Sequence, residues 1–199
     1  MKSKSRHLIC VSFLALSLAS CGITRNAPDI SEDVIEFRQV LSVSSIDSDI
    51  EAYGQKFTSI DCRNPPSNFE PPIYLIGCSS DEKEVFLLGA SELDGNSIKQ
   101  AKSLTDDSSG NQWFVTIDFN DAGTKKLADF TRRVTSLPAP MNQIAITSDN
   151  LVIVAPVINE EITAGSAVIT GNFTMQEALD LSKSIKNRSS IPQFLKWRE

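Results

Sequence analysis

Apolar and polar positions alternate most regularly in WFVTIDF. Trp113, Val115, Ile117 and Phe119 fall on one side, Phe114, Thr116 and Asp118 on the other. That period of two predicts a strand with one buried face. The period then changes. In NDAGTKKLADFTRRVTS, Leu127, Phe130, Thr131 and Val134 recur at helical spacing. QIAIT and LVIVA flank the turn-forming cluster Ser148-Asp149-Asn150 and predict a β-hairpin. SAVITG predicts another strand, and Gly171 suits a tight strand-to-helix turn. FTMQEALDLSKSI predicts a helix whose inner face carries Met175, Ala178, Leu179, Ser182 and Ile185. Thr174 and Glu177 have the spacing of a capping box at its start.

Earlier in the chain, VIEFRQVLSV (Val34 to Val43) is β-prone and EVFLLG reads as a strand. NSIKQAKSL predicts a short helix, with Ile98, Ala101 and Leu104 on one side. Between the two strands lies a long polar segment holding Pro65, Pro66, Pro71 and Pro72. The order in the second half is strand, helix, hairpin, strand, helix. It predicts an α+β fold, a mainly antiparallel sheet with helices packed on one face.

The N-terminus has a different pattern. Lys2, Lys4 and Arg6 precede a mostly apolar run, Leu8 to Leu18. At about 11 residues this run is well short of the ~20 that a membrane-spanning helix needs, and it has the basic start and small-residue exit of an export signal. Leu18-Ala19-Ser20-Cys21 resembles the bacterial lipobox, in which a diacylglycerol is attached to the cysteine and the chain is cut before it. The expected organisation is a lipoprotein signal peptide over 1–20, a polar tether over 21–33 and a domain over 34–199. The lipid on Cys21 would anchor the protein to the outer, extracytoplasmic face of the bacterial cytoplasmic membrane, since each buried methylene contributes about 0.8 kcal/mol.

Charge then narrows the partners. Loss of Lys2, Lys4 and Arg6 with the leader takes the formal charge from −6 to −9, which argues against nucleic acid. Of four cysteines, Cys10 leaves with the leader and Cys21 carries lipid. Cys62 and Cys78 remain in a chain facing an oxidising compartment, where pairing is the default. Their bridge would close a loop of 17 residues counting both ends, contributing ~3 kcal/mol in the chain-entropy model.

A family resemblance rests on the second half. QWFVTIDFNDAGTKKLADFT and NQIAITSDNLVIVAPVINEEITAGSAVITGNFTMQEALDLSKSI resemble consecutive stretches of SecD, the membrane subunit of the bacterial preprotein translocase. The hairpin pattern falls on Ala145, Ile146, Asp149, Val152, Ala155, Pro156 and Ile158. The strand pattern falls on Ile162, Gly165, Ile169 and Gly171, and the helix pattern on Phe173, Thr174, Glu177, Ala178 and Leu181. The best match spans 113–185, and SSIPQF looks like a degraded form of the motif that ends it. The resemblance implies a SecD-head-like, ferredoxin-like sandwich and a role in contacting exported polypeptide or the translocon. Where the SecD hairpin has Asp-Gly, this chain has Asp149-Asn150, and asparagine also accepts positive φ. A lipid cannot carry protons, so proton-driven coupling is not implied. The other reading is the same fold reused as an interaction module unrelated to secretion.

Catalytic chemistry has little to build on. The sole histidine, His7, lies in the leader, so no cofactor, metal site or histidine-dependent active site is expected. Glu160 and Glu161, read as neighbours on one strand, would point to opposite faces rather than share a site. The protein is expected not to be an enzyme.

Overall fold

The computed structural model describes residues 35–67, 69–106 and 112–187. The leader, Cys21, the rest of the tether, Val34 and SSIPQF lie outside the described residues. Ten strands and two helices follow in the order β1 (Ile35–Ser45), β2 (Ile50–Ala52), β3 (Gln55–Phe57), β4 (Leu75–Ser79), β5 (Glu84–Asp94), β6 (Ile98–Asp106), β7 (Gln112–Phe119), α1 (Asp121–Val134), β8 (Ile144–Ser148), β9 (Leu151–Val154), β10 (Ser166–Phe173) and α2 (Met175–Asn187). The α+β class is as expected, and so is the order β7, α1, hairpin, β10, α2.

The strands do not share one sheet. β1, β5, β4, β9 and β8 close into a barrel, β10, β7 and β6 form a three-stranded sheet in that order, and β2 and β3 form a hairpin of their own. The β8–β9 hairpin therefore goes to the barrel and not beside β7. Its sequence explains why: both of its faces are apolar, as suits strands buried on two sides. Ile144, Ile146 and Leu151 face the main core, while Ala145 and Val152 join Val40, Phe86 and Leu88 inside the barrel. Gly77 belongs to this interior too. A Cβ there would sit 2.7 Å from Val152 Cγ2 and 3.2 Å from Leu88 Cδ1. Every barrel pairing is antiparallel except one short seam, where Cys78 and Ser79 of β4 run parallel to Leu151 and Val152 of β9.

The main core lies outside the barrel. Phe37 from β1 meets Phe119 from β7 edge to face, with ring centroids 5.3 Å apart. Val115, Ile117 and Phe119 bury the inner face of β7, as the alternation predicts, and Leu127, Phe130 and Val134 of α1 pack in the same cluster. Asn120 caps α1 by accepting from the Gly123 amide at 2.8 Å. Gly123 is required there, because a Cβ would come within 2.4 Å of the Ser97 carbonyl. The capping box of α2 forms as read: Thr174 N–H donates to Glu177 Oε2 at 2.7 Å and Glu177 N–H to Thr174 Oγ1 at 3.3 Å.

Three local expectations are corrected. Ile98 to Leu104 is strand β6, not a helix, after a single 3-10 turn at Gly95–Ser97. Its residues pair along β7, with Ala101 opposite Ile117 and Leu104 opposite Phe114. Long-range pairing outweighs the helix propensity of Lys, Gln and Ala, and Leu104 points to solvent while Ala101 is buried. On α2, Met175 is exposed, and Leu181 takes an inner position beside Ala178 and Ile185. Gly171 does not form the turn into α2. It lies within β10 where the register with β7 shifts, and the Phe173 ring would stand 2.9 Å from its Cβ.

The proline-rich segment is fastened as expected. Cys62 and Cys78 are bridged, with Cα atoms 5.8 Å apart. The bridge sits in its own apolar cluster with Ile50, Phe57, Ile60, Ile73, Ile76, Val85 and Leu87. Part of this segment was not legible: β2 and β3 are joined at Tyr53-Gly54, both at positive φ, which is the geometry of a two-residue hairpin turn.

Candidate functional site: an apolar groove beside an open strand

A cavity of about 310 Å³ opens between the barrel and the three-stranded sheet. The barrel supplies Phe37, Ile144 and Ile146, and α1 supplies Leu127 and Thr131. The connection after β9 supplies Pro156, Val157, Ile158 and Ile162, and β10 supplies Ser166, Ala167 and Val168. Its lining is mostly apolar, and Val157 on its rim is 45% exposed. A large aliphatic side chain left this open beside an apolar cavity marks a surface that gains by being covered. Val168, 51% exposed, turns its side chain to the outer face of the sheet beside Phe114 and Thr170, so β10 borders the groove there with its edge.

The connection from Pro156 to Gly165 is held by a few polar contacts. Val157 forms an isolated bridge with Gln143, and Ile158 N–H donates to Asn142 O at 2.9 Å. Thr131 Oγ1 accepts from Ile162 N–H at 2.9 Å while donating to Leu127 O at 2.8 Å. Gly165 ends the connection at φ +69°, and its carbonyl accepts from Phe119 N–H at 2.8 Å. A Cβ there would lie 2.3 Å from Thr124 Oγ1. Ser166 Oγ donates to Asp118 Oδ1 at 3.0 Å.

The charged groups stand around the groove, not in it. Glu160 and Glu161 are exposed on the connection just before Ile162 and not on a strand, contrary to expectation. Arg132 pairs with Asp129 and reaches Glu161 at 3.3 Å. The Asp129 hydrogen bond first, and then the fields of Asp129 and Glu161, hold the Arg132 guanidinium above its ordinary pKa. Among the described residues no cluster of three or more His, Cys, Asp or Glu is placed to hold a metal ion.

β10 forms one wall of the groove, and among the described residues it pairs with β7 alone. Its other edge has no strand paired to it among the described residues. In an antiparallel ribbon about half of the backbone N–H and C=O groups of such a strand point away from its partner.

The connection from Pro156 to Gly165 and the strand after it carry the motif positions on which the SecD resemblance rested. A family model, "SecDF, P1 head subdomain", matches residues 74–189. The chain belongs to the SecDF P1 head family. The protein translocase subunit SecD of Streptomyces coelicolor is 29% identical over 140 residues, covering 66% of this chain and 25% of the relative. SecD of Acidaminococcus fermentans is 35% identical over 128 residues, covering 59% and 29%. A solved structure of SecDF in its super-membrane-facing form superposes with a TM-score of 0.50 at 24% identity, over 81% of this chain and 19% of that one, and shows the shared fold. The chain spans about a quarter of the length of these curated relatives.

Of the residues singled out in the sequence, the structure brings Cys62 and Cys78 together, and Cys21 lies outside the described residues. Neither cysteine of the pair lines the groove. No local motif in the sequence marks the groove as a site. The available signal is Val157, an aliphatic residue directly after Pro156 that lies in the apolar run from Leu151 to Ile158 and is left exposed.

Proposed function

We propose that this chain is a membrane-anchored extracytoplasmic lipoprotein whose SecDF P1 head domain acts, without catalysis, as an accessory in protein export. Lipid on Cys21 holds it at the outer face of the cytoplasmic membrane, and the groove makes weak, reversible contact with exported polypeptide or with the translocon. The apolar groove open at Val157, with the edge of β10 as one wall, is the observation that carries this reading. Membership of the SecDF P1 head family and relatives named as translocase subunits support it. The formal charge without the leader favours basic segments over acidic ones, with affinity falling as salt rises.

The test is a photoreactive residue at Val157 in the full chain, expressed in cells. Adducts with exported chains or translocon subunits are expected. Adducts confined to a folded protein with no part in export would overturn the reading. Mass spectrometry of the mature N-terminus tests the anchor separately, since Cys21 should carry diacylglycerol and be the first residue.

A further inference from the structure

We infer that β10 is a strand-accepting edge: exported polypeptide is held there as an added antiparallel or parallel strand, with alternate aliphatic side chains entering the groove. This rests on the proposed function and specifies how that site would work. The two edges of the three-stranded sheet differ in a way that points to it. β6, one edge, carries Lys99 and Lys102. Charged side chains, lysine above all, are a common means of keeping an edge from pairing with another chain. β10, the other edge, reads SAVITGNF. It has no charged residue and no proline, and Ser166 to Thr170 lie in register on β7 before the shift near Gly171. Its lone irregularity therefore lies beyond the groove-lining residues Ser166, Ala167 and Val168.

An unguarded edge beside an apolar groove suits one kind of ligand. The edge offers hydrogen bonds to any backbone in extended form, regardless of sequence. The groove adds a preference for an aliphatic side chain at every second position. Asp118, Glu160 and Glu161 stand around this wall, with Arg132 already paired to Asp129 and Glu161. The surrounding charge thus favours a neutral or basic segment. It also argues against a second copy as the occupant, because pairing two β10 edges would bring together two chains of formal charge −9 without the leader, and two acidic surrounds.

The experiment uses the full chain in detergent micelles and a synthetic peptide of about ten residues, with valine at alternate positions and serine, threonine and lysine between. Two methylated forms are compared, each N-methylated on one alternate set of residues. Side-chain content is the same in both, but one set blocks the N–H groups facing β10 and the other does not. Edge pairing predicts that one form loses affinity by roughly tenfold or more while the other stays within about twofold, since several backbone hydrogen bonds are at stake. Equal binding of both forms would overturn the strand pairing and leave the groove reading standing. No binding of the unmodified peptide would overturn both. Val168→Lys should weaken the unmodified peptide without changing the sedimentation of the protein. A dimer that Val168→Lys dissolves would show that the edge serves a second copy and would overturn the inference.

Discussion

The side-chain amide of Asn150 donates to the backbone carbonyl of Cys62, 88 residues away in sequence. The Asn150 carbonyl accepts in turn from Cys78 N–H at 2.8 Å. One hairpin residue thus contacts both halves of the disulfide segment, next to the parallel seam that closes the barrel. The positive φ needed to turn this hairpin falls on Asp149, at +50°, which leaves Asn150 to make these contacts.

Asn150→Ala should therefore cost more than an average turn substitution. It removes the donor to a partly buried carbonyl while leaving the backbone contact to Cys78 in place. A loss of about 1–2 kcal/mol is expected, measured as a shift in the urea midpoint with an unchanged slope. A loss below a few tenths would show that water replaces the amide freely.

Replacing Cys62 and Cys78 together with alanine should cost about 3 kcal/mol, set by the loop that the bridge closes. Both cysteines are buried. Reductant should accordingly reach the bridge only through unfolding, so the native protein is expected to keep it through a short exposure to dithiothreitol. Thiol alkylation followed by mass spectrometry reads this directly, and rapid labelling without denaturant would contradict it.

Thr147→Val should stabilise the protein. Thr147 is fully buried on β8, and its Oγ1 has no hydrogen-bond partner among the described residues. Valine keeps the shape and removes an unsatisfied hydroxyl, a gain on the order of 1 kcal/mol. Calorimetry should show a higher melting temperature. A fall would mean that the hydroxyl is paired after all.

Thr131→Val tests the groove wall. The hydroxyl holds Ile162 N–H, and valine leaves that amide unpaired at little change in volume. A destabilisation of about 1–3 kcal/mol is expected, with faster amide exchange at Ile162 and peptide affinity reduced. Unchanged exchange at Ile162 would show that the connection is fixed by its apolar contacts alone.

What could be read from sequence divides along local lines. The β7 alternation, the α1 stripe and the Thr174–Glu177 cap depend on residues a few positions apart, and each forms as read. The barrel depends on β1 meeting β8 and β4 meeting β9, pairings that no local pattern announces. β6 misled because Ile98, Ala101 and Leu104 recur as in a helix, yet β7 recruits them as a strand. The groove was hidden for another reason. Phe37, Leu127, Ile144 and Ile162 each read as ordinary core residues, and only the assembled fold leaves space between them.

The barrel's closure also sets an order in time. Its seams join residues near 35 to residues near 148, and residues near 78 to residues near 152. Contacts so distant in sequence are slow to form, because the chain entropy is lost before the contacts repay it. A chain made from its N-terminus presents β1, β4 and β5 long before β8 and β9 exist. Until Val154 has emerged, those strands have unpaired edges, and the growing chain passes through an interval in which it is itself a candidate for capture by other chains.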